Sequence, residues 1–180
     1  MSSQNEMGEE ITGNLRKCGR EVKIYPLAKI VSPEVVVIGD YSQIDDFTFI
    51  YGGQGTVIGR YVHIASFVSI IGGGELIVGD YADIACGARI LTGTDTYTGG
   101  KRMSSALPME QRKVVRGKII IEKDAFIGTN VVIHPNVTIG EGAIIGSNSL
   151  VLKDVEPWSI NVGSPCKKIG QRPRVVVPDI

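Results

Sequence analysis

The chain has 180 residues, 43% of them hydrophobic and 21% charged, with 19 basic and 19 acidic side chains and two histidines. That length fits one compact domain with a sizeable core, and the composition excludes a disordered or collagen-like chain. A net charge near zero speaks against a protein built to grip nucleic acid along its phosphates, and no apolar run is long enough for a membrane span. The segment 1–10 is polar and acidic, unlike a signal peptide, so a cytoplasmic location is expected. Three cysteines without CxxC spacing (Cys18, Cys86, Cys166) suggest neither a disulfide framework nor a Cys-based zinc site. Against 6% aromatics stand 23 Gly, 24 Ile and 20 Val, a bias that calls for a repeat search.

In chain order, residues 1–23 carry mixed charge and no repeat, and read as a short helix or N-terminal cap. From 24 to 155 a hexad pattern rules. Stepping by six, Ile38, Ile44, Ile50, then Ile58, Ile64, Ile70, then Val78, Ile84, Ile90 are all branched aliphatics. After a gap the series resumes with Ile121, Ile127, Ile133, Ile139, Ile145 and Val151. Four places after most of them comes a small or β-branched residue such as Ser42, Val62, Ala82, Ala125 or Ser149. A period of six is neither helical nor simple alternation. It fits a short strand with two inward side chains, then a sharp turn, three times per coil. Coils of 20 residues carry extra glycines at one corner (Gly52-Gly53, Gly72-Gly73-Gly74), and later coils are a strict 18. The expected architecture is all-β, with about five coils.

Residues 92–118 break the hexads and carry Lys101, Arg102, Arg112, Lys113, Arg116 and Lys118 against Asp95 and Glu110. So long an excursion in so regular a solenoid points to function. A second departure lies on the third face, where Tyr51, Ile71, Leu91, His134 and Leu152 replace the small residues, one above another. With Phe126, Ile144, Phe49, Val132 and Leu150 also outward, this apolar stripe predicts a subunit interface. Residues 156–180 read as a C-terminal cap over the open end of the solenoid.

The hexad [Ile/Val/Leu]-[Gly/Ala/Glu/Asp]-x-x-[Ser/Thr/Ala/Val]-x resembles the repeat of the left-handed parallel β-helix acyltransferases. The closing stretch LKDVEP…GSPCKK is similar to that family's terminal segment. The resemblance implies a homotrimer, acetyl-CoA or another acyl-CoA as co-substrate without a metal, and a long loop that walls the active site against a neighbouring subunit. Carried over by motif, Thr129 and Ser147 would meet the pantetheine arm, and Lys153 and Lys167 the nucleotide end, with Lys168 and Arg172 suited to its phosphates. Galactoside-type members present a loop histidine as base; that place here holds Asp95, a weak base unless burial raises its pKa. Ser69, with Arg89 stacked above it, falls where such enzymes hold a substrate-positioning asparagine.

Two histidines remain as catalytic candidates. His63 points outward with Asp83 directly above it, a pair able to fix the imidazole tautomer. Its VHIA string resembles one in bacterial sugar N-acetyltransferases, whose main base would fall at Gln54. His134 belongs to the apolar column. An amine needs only to be unprotonated and positioned, so the missing loop histidine favours an N-acyltransferase acting on a nucleotide-linked amino sugar. The alternative is a sugar O-acetyltransferase with His63 or His134 as base. A zinc carbonic anhydrase on this fold needs three histidines, and an inactive scaffold would bind no coenzyme A.

Overall fold

The structure, a computed structural model, describes residues 14–180. Each coil contributes one short strand to each of three parallel sheets. The first coil supplies β1 (Lys17–Cys18), β2 (Lys23–Ile24) and β3 (Lys29–Val31), the second β4 (Val36–Ile38), β5 (Gln43–Ile44) and β6 (Phe49–Tyr51). The third supplies β7 (Gly55–Ile58), β8 (His63–Ile64) and β9 (Ser69–Ile71), the fourth β10 (Glu75–Val78), β11 (Asp83–Ile84) and β12 (Arg89–Leu91). A hairpin stem, β13 (Gly93–Asp95) with β14 (Val114–Arg116), then leaves the column. Two further coils follow: β15 (Lys118–Ile121), β16 (Phe126–Ile127), β17 (Val132–Ile133), then β18 (Thr138–Ile139), β19 (Ile144–Ile145), β20 (Leu150–Val151). Finally β21 (Ser159–Val162) extends the second sheet, and β22 (Lys167–Gln171) folds back antiparallel upon it. This is the expected left-handed parallel β-helix.

The described residues form six complete coils and part of a seventh, rather than about five. The first coil pairs in register with the second, Cys18 with Ile38 and Ile24 with Ile44. Its first hexad position is an exposed cysteine on the first described coil, where no buried Ile or Val is required. Strand therefore begins inside the segment expected to be a cap, most of which lies outside the described residues.

The core is a stack of identical positions. Ile44, Ile64, Ile84, Ile127 and Ile145 are fully buried one above another, and the other two faces repeat the scheme. Buried hydroxyls among them satisfy themselves locally: Ser42 donates to the Gly59 carbonyl at 2.7 Å and Thr48 to that of Ala65 at 3.1 Å. Among the described residues no buried side-chain N or O lacks a partner.

The corners turn through left-handed backbone, often at bulky residues: Tyr41, Tyr61 and Tyr81 at one corner, Phe47 and Phe67 at another. Each such residue costs about 1–2 kcal/mol in conformation. Ring stacking offsets part of that cost, with centroids 4.9 Å apart for Tyr41–Tyr61 and 5.1 Å for Phe47–Phe67. Beside the tyrosines, charges alternate in sign up the column: Arg20, Asp40, Arg60, Asp80, Lys123, Glu141. Arg20 pairs with Asp40 at 3.0 Å, and Arg60 with Asp80 at 3.1 Å. Higher up, Gly142 has φ +64°, and a Cβ there would lie 2.3 Å from the Trp158 ring, so only glycine fits beneath that indole.

Candidate functional site

Outward-facing strip residues of the second sheet run Lys23, Gln43, His63, Asp83, then Phe126, Ile144 and Ile160. The polar half of this strip forms a bridged cluster. His63 Nδ1 lies 2.8 Å from Asp83 Oδ1, and its Nε2 lies 3.1 Å from Asp45 Oδ2. Gln43 Nε2 donates to the other oxygen of Asp45 at 2.8 Å. Asp83 is thus where the coil period places it, while Asp45, two residues beyond Gln43, reaches His63 diagonally. The hydrogen bond to Asp83, reinforced by Asp45 against partial desolvation, raises the His63 pKa to about 9. The ring is therefore an imidazolium at neutral pH with both N–H groups engaged, and it has no lone pair with which to act as a base.

Asp95 fares likewise. Arg112 clamps it through Nε at 3.0 Å and Nη2 at 2.7 Å, closing the neck of the long loop. Each of its oxygens accepts one guanidinium N–H, an arrangement that fits a structural clamp. The loop's cations are partly consumed within the chain: Lys101 donates to the Glu110 carbonyl, and Lys118 pairs with Glu75. His134 follows β17 in the apolar column, its amide bonded to the Val151 carbonyl. In that column Tyr51, Ile71 and Leu152 are 40%, 37% and 47% exposed, an outward stripe with no covering in the single chain. Ser69 and Arg89 are cross-strand neighbours on the third sheet. Arg89 turns its guanidinium to the corner, donating to the carbonyls of Phe67 and Gly87, each at 2.6 Å.

The expected carrier-binding residues fall into three places. Lys153, Lys167 and Lys168 line one cleft of about 450 Å³ with Leu152, Pro165 and Cys166. Asp154 and Glu156 line it as well, so three lysines stand against two carboxylates, and Lys153 and Lys167 are the cations left for a phosphorylated carrier with an aliphatic arm. Lys168 is held there by Glu156 at 2.7 Å. Thr129 and Ser147 sit exposed at the neighbouring corner, one coil apart, and Thr129 borders a second, smaller cleft with Phe67 and Arg89. Arg172 lies elsewhere. It donates to the carbonyls of Asp124 at 2.7 Å and Gly142 at 3.1 Å and packs over Trp158, so it staples the closing segment instead of facing the cleft. Sequence reasoning missed Asp45, Gln43 and Arg112. The coil period would have found Gln43, one rung below His63, but not Asp45, which lies off that period.

Hexad coils wound into a three-sided column, an interrupting loop and a lysine-bearing cleft at the closing end together define a hexapeptide-class transferase. Residues 118–153 match the family described as bacterial transferase hexapeptide (six repeats). The chain is 34% identical over 158 residues to the dTDP-4-amino-4,6-dideoxy-D-glucose acyltransferase of Escherichia coli, covering 87% of this chain and 82% of that one. The chain belongs to the hexapeptide-repeat acyltransferases. It is also similar to AntD, an N-acyltransferase from Bacillus cereus solved with dTDP and 3-hydroxybutyryl-CoA: 34% identity, TM-score 0.88, with 95% of this chain and 92% of that one covered. Chloramphenicol acetyltransferase of Klebsiella aerogenes is 48% identical over 69 residues, and the match spans 31% of its length. No helix among the described residues is long and apolar enough to cross a membrane. No group of three or more His, Cys, Asp or Glu among them is arranged to hold a metal ion.

Proposed function

We propose that this protein transfers an acyl group from an acyl-CoA to the amine of a nucleotide-linked amino sugar of the dTDP-4-amino-4,6-dideoxyglucose type. Likeness to two such acyltransferases along nearly the whole chain carries the reading. The site chemistry agrees with it. A hydroxyl acceptor needs a general base, and the His63 ring nitrogens are both committed to carboxylates. An unprotonated amine attacks the thioester directly: the C–N bond forms, the C–S bond breaks, and the proton shed by nitrogen leaves with the thiol.

In this reading the cleft at Lys153 and Lys167 takes the nucleotide end of coenzyme A, and Thr129 and Ser147 flank its pantetheine arm. The outward stripe at Tyr51, Ile71, Leu91 and Leu152 is buried in a homotrimer, and the loop at 92–118 reaches toward a neighbouring subunit. Three unpaired cysteines suit a reducing cytoplasm. The test is thiol release from acetyl-CoA or 3-hydroxybutyryl-CoA in the presence of dTDP-4-amino-4,6-dideoxyglucose, with light scattering to read the assembly mass against the 19.3 kDa chain. Turnover of a hydroxyl sugar with none of the amine would refute the proposal.

A further inference from the structure

The bridged cluster on the second sheet has more to it than a base that is not available. Asp45, His63 and Asp83 together carry one net negative charge when the imidazole is protonated. They lie beside a cleft of about 350 Å³ lined by Tyr41, Gln43, Tyr61, Val62 and His63. Asp83 stands one coil further along the same strip, its side chain 40% exposed, and only its Oδ1 is bound to the ring. Beyond Asp83 the strip turns apolar at Phe126. Asp83 thus marks the boundary between the polar and the apolar half of the strip, one coil beyond the cleft.

We propose that His63 is a positioning residue: it holds Asp83 so that the free carboxylate oxygen receives an N–H of the acceptor amine, which makes this strip the amine-selecting end of the acceptor site. The inference rests on the N-acyltransferase reading above. Chemistry favours it over a neutral site, because an anionic group attracts an ammonium more strongly than it attracts a hydroxyl, and charge-assisted hydrogen bonds are about twice as strong as neutral ones. The imidazolium also prevents Asp45 and Asp83 from repelling one another across the strip. Asp83 is not asked to take the proton. The ammonium sheds its proton to solvent before attack, and Asp83 orients the neutral amine.

The test uses the full chain with acyl-CoA, the amino-sugar nucleotide dTDP-4-amino-4,6-dideoxyglucose and its 4-hydroxyl counterpart. Asp83→Asn, nearly isosteric, is expected to lose about 10- to 100-fold in kcat/KM for the amine, mainly through KM, with the CoA KM unchanged. His63→Gln, which still donates one hydrogen bond, is expected to retain more activity than His63→Ala. Imidazole nitrogen resonances supply an arm that needs no acyl donor: adding the amino-sugar nucleotide to the wild type shifts the His63 ring signals, and adding the hydroxyl counterpart shifts them less. An unchanged KM in Asp83→Asn overturns the inference, as do ring signals that ignore the amino sugar. A drop of a thousandfold or more in kcat for His63→Ala at unchanged KM would make His63 a base and overturn it too. Failure of the broader reading looks different: the wild type then acylates no amine at all, and the ring signals alone still decide whether the amino sugar lies against this strip.

Discussion

Ile64 is the position at which the stacked-core argument is most exposed. It is fully buried, between Ile44 below and Ile84 above, on the middle coils of the second sheet. Ile64→Ala removes three carbon groups, worth ~2.4 kcal/mol of transfer free energy at ~0.8 kcal/mol each. Parallel ladders hold the strands above and below at fixed spacing, so the space cannot collapse. A residual cavity of ~60 Å³ adds ~1.5 kcal/mol at ~24 cal/mol per Å³, giving a total near 4 kcal/mol. Ile24→Ala on the first coil is expected to cost clearly less, because among the described residues Ile24 stacks against a neighbouring coil on one side only. Chemical denaturation at one fixed protein concentration, with hydrogen exchange to separate local from global opening, measures both. A loss below about 1 kcal/mol at Ile64, or an equal loss at Ile24, would refute the idea that each rung is clamped by the rungs on either side.

Four further outcomes are expected. If Asp95 and Arg112 form a clamp, Asp95→Asn and Arg112→Met reduce turnover to a similar degree; a base at Asp95 would make the first far more damaging than the second, and steady-state kinetics separates the two. The His63 ring stays protonated on raising pH until about 9, against an ordinary value of 6.5, which an NMR titration reads directly. Because the folded value is the higher one, its contribution to stability is complete below pH 6.5 and fades as pH climbs through 9; with the side chain 43% exposed, solvent screening limits it to roughly 1 kcal/mol. Replacing Lys153 or Lys167 by Ala weakens coenzyme A binding several-fold and flattens its salt dependence, measured by calorimetry. Gly142→Ala drives a methyl group into the Trp158 ring and is expected to lower the melting temperature markedly, by several degrees for a loss of about 1–3 kcal/mol.

Much of the fold was legible because its information is local. A hexad writes each core contact twice, once at its own place and once a coil later, so Ile44, Ile64 and Ile84 announce their stacking in the sequence. What escaped lies where that rule weakens. Cys18 hid the first coil, since an end position need not be branched. The site was less legible for a different reason: its partners lie off the strict coil period. Asp45 reaches His63 along a diagonal, 18 residues away instead of 20. Arg112 meets Asp95 across a hairpin to which no hexad applies. Arg172 looked like a phosphate ligand by composition, yet carbonyls left facing outward at the Asp124 and Gly142 corner claim it.

The alternating charges at the tyrosine corner set a rule for how such a column can change length. Hydrophobic stacking repeats with every coil, so excising the twenty residues of one coil would leave isoleucine resting on isoleucine. The corner repeats only with every second coil: losing the third coil would bring Asp40 against Asp80, whereas losing the second and third together would return Arg20 to an aspartate. Duplication or deletion in pairs thus preserves both alternation and packing, and the corner counts in twos what the interior counts in ones.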